Sequence, residues 1–275
     1  MKIEGKTALV AGASRGIGLA IARKLAAEGA RLILPWFDWP EDSESMQREF
    51  SSTDGCHSFI LADLRKSSDV KDMAEMIRRN RGSLHILINN IERGGMPVIH
   101  GSYELEVNRD QWQLEMETTL HAKHLLFEYC FPLMKEEQDA AIINISSIAG
   151  LTGRSGPAGL IYSDGYAAAN CGISTLTKTW ARLAAPNVRV NEIMLGLIDT
   201  RHGRRTRGWE KLTEQERSDL IGHTLLKRTG TPEEVAETVL FLIKNAAYMT
   251  GAVIRLDGGF LLGGEKIPPL PKGIL

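Results

Sequence analysis

Seven short runs of aliphatic and β-branched residues punctuate the chain, at 7–11, 31–34, 58–61, 86–89, 141–146, 188–195 and 253–256. Between them lie longer stretches in which apolar residues return every three or four positions, at 17–28, 67–80, 110–134, 166–185 and 232–243. The first pattern predicts strands and the second amphipathic helices. Strands that read as continuous apolar runs are buried on both faces, and strands separated by helices are joined by crossovers. The expected architecture is α/β: a Rossmann-like, doubly wound, seven-stranded parallel sheet with helices on both faces. Ligands of such a sheet bind at the carboxyl ends of its strands.

Composition narrows the class. The chain has 275 residues, 43% of them hydrophobic, which suits one domain spanning 1–262 with an extended arm at 263–275 rich in glycine and proline. A formal net charge of -1 gives no basic surplus for nucleic acid or an acidic membrane surface. Small molecules and proteins are the expected partners. Cys56, Cys130 and Cys171 form neither a CxxC pair nor a metal set, so no metal is expected and a reduced, cytoplasmic setting is. No run reaches 18 apolar residues, and the first residues lack a signal-peptide pattern.

The first strand runs into AGASRGIG, where Gly12, Gly16 and Gly18 open a helix beginning near Ile17. Glycines in such a turn let backbone N–H groups approach a pyrophosphate, whose charge the helix N-terminus favours. A tight strand-to-helix turn without a ligand gives the same triplet, so the turn alone decides little. With it come ADL at 62–64, INN at 88–90, INISSIAG at 143–150, RVNEIMLG at 189–196 and RLDGG at 255–259. Together these resemble the short-chain dehydrogenase/reductase family over nearly the whole chain.

That resemblance implies an NAD or NADP site in which Gly12, Ser14, Arg15, Gly16, Ile17 and Gly18 hold phosphates, Asp63 with Leu64 holds adenine, and Asn89 supports the central strand beside the cofactor. Trp36 stands where an NAD-specific acid is usual; Asp38, two residues on, is a substitute, and Arg15 would suit the 2′-phosphate of NADP. Ser147 would orient a substrate carbonyl, and Tyr166 would exchange the proton that accompanies hydride transfer.

The departures fall where chemistry is done. YxxxK has become Tyr166-Ala167-Ala168-Ala169-Asn170, and the family's catalytic Asn falls on Thr119. A tyrosine with a free pKa near 10 is about one part in a thousand ionised at pH 7, and an ammonium neighbour is what raises that fraction. Lys123, one helical turn after Thr119, is a candidate replacement; otherwise it is a surface residue or a salt-bridge partner at a subunit contact. NNAG has become Asn89-Asn90-Ile91-Glu92, with bulk and negative charge where the cofactor needs room. Ser147 and Tyr166 are 19 positions apart, against about a dozen in the family, which makes Tyr162 a second candidate phenol.

Arg201, Arg204, Arg205 and Arg207 cluster after the sixth strand, in the segment that lids the substrate in this family. Guanidinium groups there suit an acyl-CoA or polycarboxylate, though a solvated loop balanced by Glu210, Glu214 and Glu216 has the same composition. Family resemblance implies a homo-tetramer, or a hetero-tetramer with an active paralogue. Altered catalytic positions on an intact core resemble the non-catalytic subunit of a heteromeric hydroxyacyl-CoA dehydrogenase. A self-sufficient oxidoreductase and a ligand-binding protein without turnover are the alternatives.

Overall fold

The computed structural model describes residues 1–51, 56–92, 106–200 and 212–263. Seven parallel strands form one sheet: β1 Thr7–Ala11, β2 Arg31–Trp36, β3 Ser58–Leu61, β4 Ile86–Asn89, β5 Ala140–Ser147, β6 Val188–Leu195 and β7 Val253–Leu256. Their order is β3-β2-β1-β4-β5-β6-β7, so the winding reverses between β1 and β4 and leaves a crevice above their carboxyl ends. The expected α/β sheet is the one observed, with strand bounds shifted by two residues at most.

Two apolar layers sandwich the sheet. On one face Ile21 and Leu25 of α1 (Gly16–Ala27), Met46 and Phe50 of α2 (Pro40–Ser51) and Val239 and Ile243 of the last helix, Pro232–Lys244, pack on Ala8, Val10, Leu32 and Ile143. On the other, α3 (Ser67–Arg81) supplies Val70, Met73 and Ile77, which meet Leu9, Leu87, Ile142 and Trp180. Alternate side chains along each strand serve opposite layers, which is why β1 needs apolar residues at every position.

Sequence periodicity predicts one helix over 110–134, and the chain instead forms α4 (Glu106–Glu115), a π-helical turn (Met116–His121), α5 (Ala122–Cys130) and a 3-10 turn (Phe131–Leu133). In the π turn the N–H of Ala122 bonds the carbonyl of Glu117. The Lys123 ammonium takes the Thr119 carbonyl at 3.2 Å, the acceptor that an α-helix would give to the Lys123 N–H. A side chain entering the i→i−4 ladder is a recognised cause of such a break.

Two helices were not expected from periodicity. α2 opens with Pro40 followed by two acids, Glu41 and Asp42, and only Ser43, Met46 and Phe50 are buried, too few for an apolar stripe. A later helix, Glu214–His223, buries Leu220 alone but starts with a capping box from Thr213 and Glu216. Between β5 and the long helix Asp164–Ala184, the added residues fold as α6 (Ala149–Thr152) and a 3-10 turn (Pro157–Leu160). The long helix is α7; Glu214–His223 and Pro232–Lys244 are α8 and α9. Of the arm at 263–275, only Gly263 lies within the described residues. No described helix is long and apolar enough to cross a membrane.

Candidate active site

The glycine turn closes over the carboxyl end of β1. Gly12 and Gly16 adopt φ of +73° and +53°, values that L side chains rarely take. A Cβ on Gly18 would lie 2.0 Å from the Gly12 carbonyl oxygen, so α1 packs against the turn as only glycine allows. No side chain caps the first N–H groups of α1, which leaves them directed at the crevice. Asn90 donates its amide to the Gly12 carbonyl at 3.3 Å and ties the turn to the end of β4.

The crevice has a volume of about 380 Å³. Gly12, Ser14, Arg15, Gly16 and Ile17 line it, as do Asp38, Asp63 and Leu64, all expected on the resemblance. Gly18 packs beneath the turn. Asn89 is buried and donates to Asn144 Oδ1 at 2.8 Å across β4 and β5; Asn90, the next residue, is the one that lines the crevice. Sequence reasoning passed over Asn90, although the second Asn of the motif was the available signal.

At the far end from β4, Asp63 accepts two bonds from the Arg65 guanidinium, at 2.7 and 2.8 Å, and one from the Arg65 N–H. Burial opposes its charge, but these bonds and the positive charges of Arg65 and Lys66 outweigh burial and hold the carboxyl below its usual range. Arg15 stacks on Trp39, 3.5 Å from the ring centroid, and lies 3.8 Å from Asp42. Ser14 and Ser43 share a hydroxyl hydrogen bond of 3.1 Å, and Ser43 donates to the Asp38 carbonyl at 3.0 Å, which fixes the loop after β2.

Tyr166 is set by the first turn of α7. Ser163 caps that helix, accepting from the Tyr166 N–H at 3.3 Å and donating to Glu115 at 2.6 Å, and a Cβ on Gly165 would meet Glu115 Oε2 at 2.6 Å. The Tyr166 hydroxyl donates to Glu92 Oε2 at 3.0 Å. Asn170 donates to the Tyr166 backbone carbonyl at 2.9 Å, while its own side-chain oxygen has no partner among the described residues. Tyr162 lies beside Tyr166, with ring centroids 5.9 Å apart. Burial pushes the Tyr162 phenol up; Ser147, alongside its hydroxyl without well-formed hydrogen-bond geometry, works the other way, and the negative charges of Glu92 and Asp257 push it further up. Ser147, Tyr162 and Tyr166 are all buried, and neither Ser147 nor Tyr166 lines the crevice.

Lys123 is fully buried, not on the surface. Its ammonium donates to the Ile91 carbonyl at 2.8 Å as well as to Thr119, and its charge favours ionisation of the buried Glu192 carboxyl. Thr119 is itself fully buried. Burial pushes the Glu192 carboxyl up; Ser146, Ser174 and Thr177 hydroxyls and the Lys123 charge act against that. Ser146 and Ser174 both donate to its Oε1, the latter at 2.8 Å. Arg201, Arg204, Arg205 and Arg207 lie outside the described residues. No group of three or more His, Cys, Asp or Glu among the described residues could hold a metal.

A parallel sheet wound in this order, with a glycine turn at its switch point, a serine at the end of β5 and a tyrosine beyond it, defines a dinucleotide-type α/β protein. A family model described as enoyl-(acyl carrier protein) reductase matches residues 12–261, and the chain belongs to the short-chain dehydrogenase/reductase family. It is 30% identical over 264 residues to the 3-oxoacyl-[acyl-carrier-protein] reductase FabG of Thermotoga maritima, covering 95% of this chain and 100% of that protein. The FabG of Chlamydia muridarum is 32% identical over 257 residues, covering 92% and 96%. Among solved structures, the ligand-free aldohexose dehydrogenase of Thermoplasma acidophilum is similar in fold, with a TM-score of 0.76, 24% identity and 98% of each chain covered. A metagenomic blue fluorescent protein solved with NADPH gives a TM-score of 0.79 at 24% identity, covering 94% of this chain and 99% of that one.

Proposed function

We propose that the protein is a subunit of an NAD(P)-dependent alcohol/ketone dehydrogenase whose own turnover is impaired, serving a structural or regulatory role beside an active paralogue. The observation that carries this reading is the electrostatic environment of Tyr166: its hydroxyl donates to the Glu92 carboxylate, and Asn170 occupies the position of the activating lysine. A carboxylate neighbour disfavours the phenolate that proton removal from an alcohol requires. The buried sheet, the glycine turn and the long helix α7 are retained, as a partner subunit needs.

Hydroxyacyl thioesters are the substrate class we favour for the assembly. The FabG relatives are named for 3-oxoacyl groups on a carrier protein, and the arginine-rich segment suits phosphate groups of CoA. The arrangement is of the kind found in 2-[hydroxy(phenyl)methyl]succinyl-CoA dehydrogenase, which pairs an active with a degenerate subunit. We place the assembly in the cytoplasm.

Turnover measured with NAD(P)H and a 3-oxoacyl-CoA tests the proposal. The isolated chain should show no more than trace activity, unchanged by Tyr166→Phe, and co-expression with a paralogue carrying an intact YxxxK should yield a mixed oligomer. Rates typical of the family, abolished by Tyr166→Phe, would support a self-sufficient oxidoreductase instead. The buried Lys123 ammonium, bonded to the residue before Glu92, is what favours that second reading.

A further inference from the structure

The adenosine diphosphate half of a dinucleotide fits the crevice: the glycine turn admits backbone approach, the α1 N–H groups lack a side-chain cap, and Trp36, Phe37 and Trp39 supply apolar wall. The nicotinamide half does not fit in the same way. Glu92 lines the crevice three residues beyond β4, and its carboxylate accepts from the Tyr166 hydroxyl. Ser147 and Tyr166 lie behind that contact, buried and off the crevice wall. A volume of about 380 Å³ sits near the lower end of the ~300–1,000 Å³ of small-molecule sites.

We propose that Glu92 walls the crevice off from Tyr166, leaving a site for an adenosine diphosphate group that stops short of the nicotinamide. Two clamps hold the wall. The side chain is held by the Tyr166 hydroxyl, and the preceding residue, Ile91, is held by the buried Lys123 ammonium at 2.8 Å. A substitution at position 92 alone would leave a mobile side chain at the crevice mouth; anchoring at both ends fixes it across the path. Glu92 thus sets ligand class by excluding part of the family's cofactor, and its partner Lys123 is a positioning residue.

The inference rests on reading the crevice as a nucleotide site, as the proposed function does, and the test separates the two. Calorimetric titration of the full chain with ADP-ribose and with NAD⁺ should give equal affinities, since the added nicotinamide finds no contacts. Glu92→Gly should tighten NAD⁺ about tenfold and leave ADP-ribose unchanged. Glu92→Gln, which keeps the length of the side chain and a hydrogen-bond acceptor for Tyr166, should leave both unchanged and serves where the glycine variant does not fold. Wild-type binding of NAD⁺ about tenfold tighter than ADP-ribose would overturn the wall, as would a gain in Glu92→Gln equal to that in Glu92→Gly. Binding of neither probe would overturn both the wall and the nucleotide reading.

Discussion

The two ends of the crevice are built from different materials. At the β1 end the crevice is built from backbone: positive-φ glycines, helix N–H groups and one amide tie from Asn90. At the Tyr166 end it is built from side chains, where Asn170 in place of lysine removes a positive charge and Glu92 in place of glycine puts a negative one beside the phenol. A backbone site survives substitution of most residues in it, provided the glycines stay. A side-chain site does not.

Removing the buried ammonium near the Tyr166 end should have the largest effect. Lys123→Ala leaves the Ile91 and Thr119 carbonyls without their donor and should cost about 2–4 kcal/mol of stability in urea unfolding. If the loss is below ~1 kcal/mol, the ammonium is not holding this end together.

Next in size is the glycine turn. Gly18→Ala forces a Cβ against the Gly12 carbonyl and should cost about 1–3 kcal/mol and abolish ADP-ribose binding. Retained binding would show that the turn is more pliable than its packing indicates.

The pH dependence of stability should differ in direction between the ends. Asp63 is held below the usual carboxylate range, so its contribution is present at neutral pH and is lost as pH falls below about 4. Glu192 is held above that range, so its contribution is present in acid and is lost as pH rises from about 4 through its raised value. Asp63→Asn should flatten the acid limb of a stability profile and Glu192→Gln the limb above it. Identical profiles for the two variants would dissolve the contrast. The smallest expected effect is on rate: Asn170→Lys alone should give no measurable gain in turnover, because Glu92 still holds the phenol.

What was legible in the sequence follows the same division. Strands such as β1 and β5 are buried at every position, and their largely apolar runs marked their existence, with the bounds of β1 as expected and those of β5 one residue longer at each end. Periodicity failed at α2, where Met46 and Phe50 are the only buried apolar positions, and at the π turn, where the Lys123 side chain takes the Thr119 carbonyl and breaks a repeat that looks continuous. Family resemblance named the crevice-lining glycines, Asp38 and Asp63. It offered nothing on Glu92 beyond steric and electrostatic misfit with a cofactor, because the contact with Tyr166 joins residues 74 apart in sequence. Lys123 was singled out for its helical phase, but only the fold shows it buried.

That buried ammonium also limits what α7 can carry. Ser174, one turn beyond Asn170 on α7, donates to the same Glu192 on which the Lys123 charge acts, so α7 presents this face to a region that already holds one positive charge. A lysine at position 170 would bring a second into low-dielectric surroundings, where like charges repel strongly. A cation at position 170 and the Lys123 ammonium therefore compete, and stability falls where both are present.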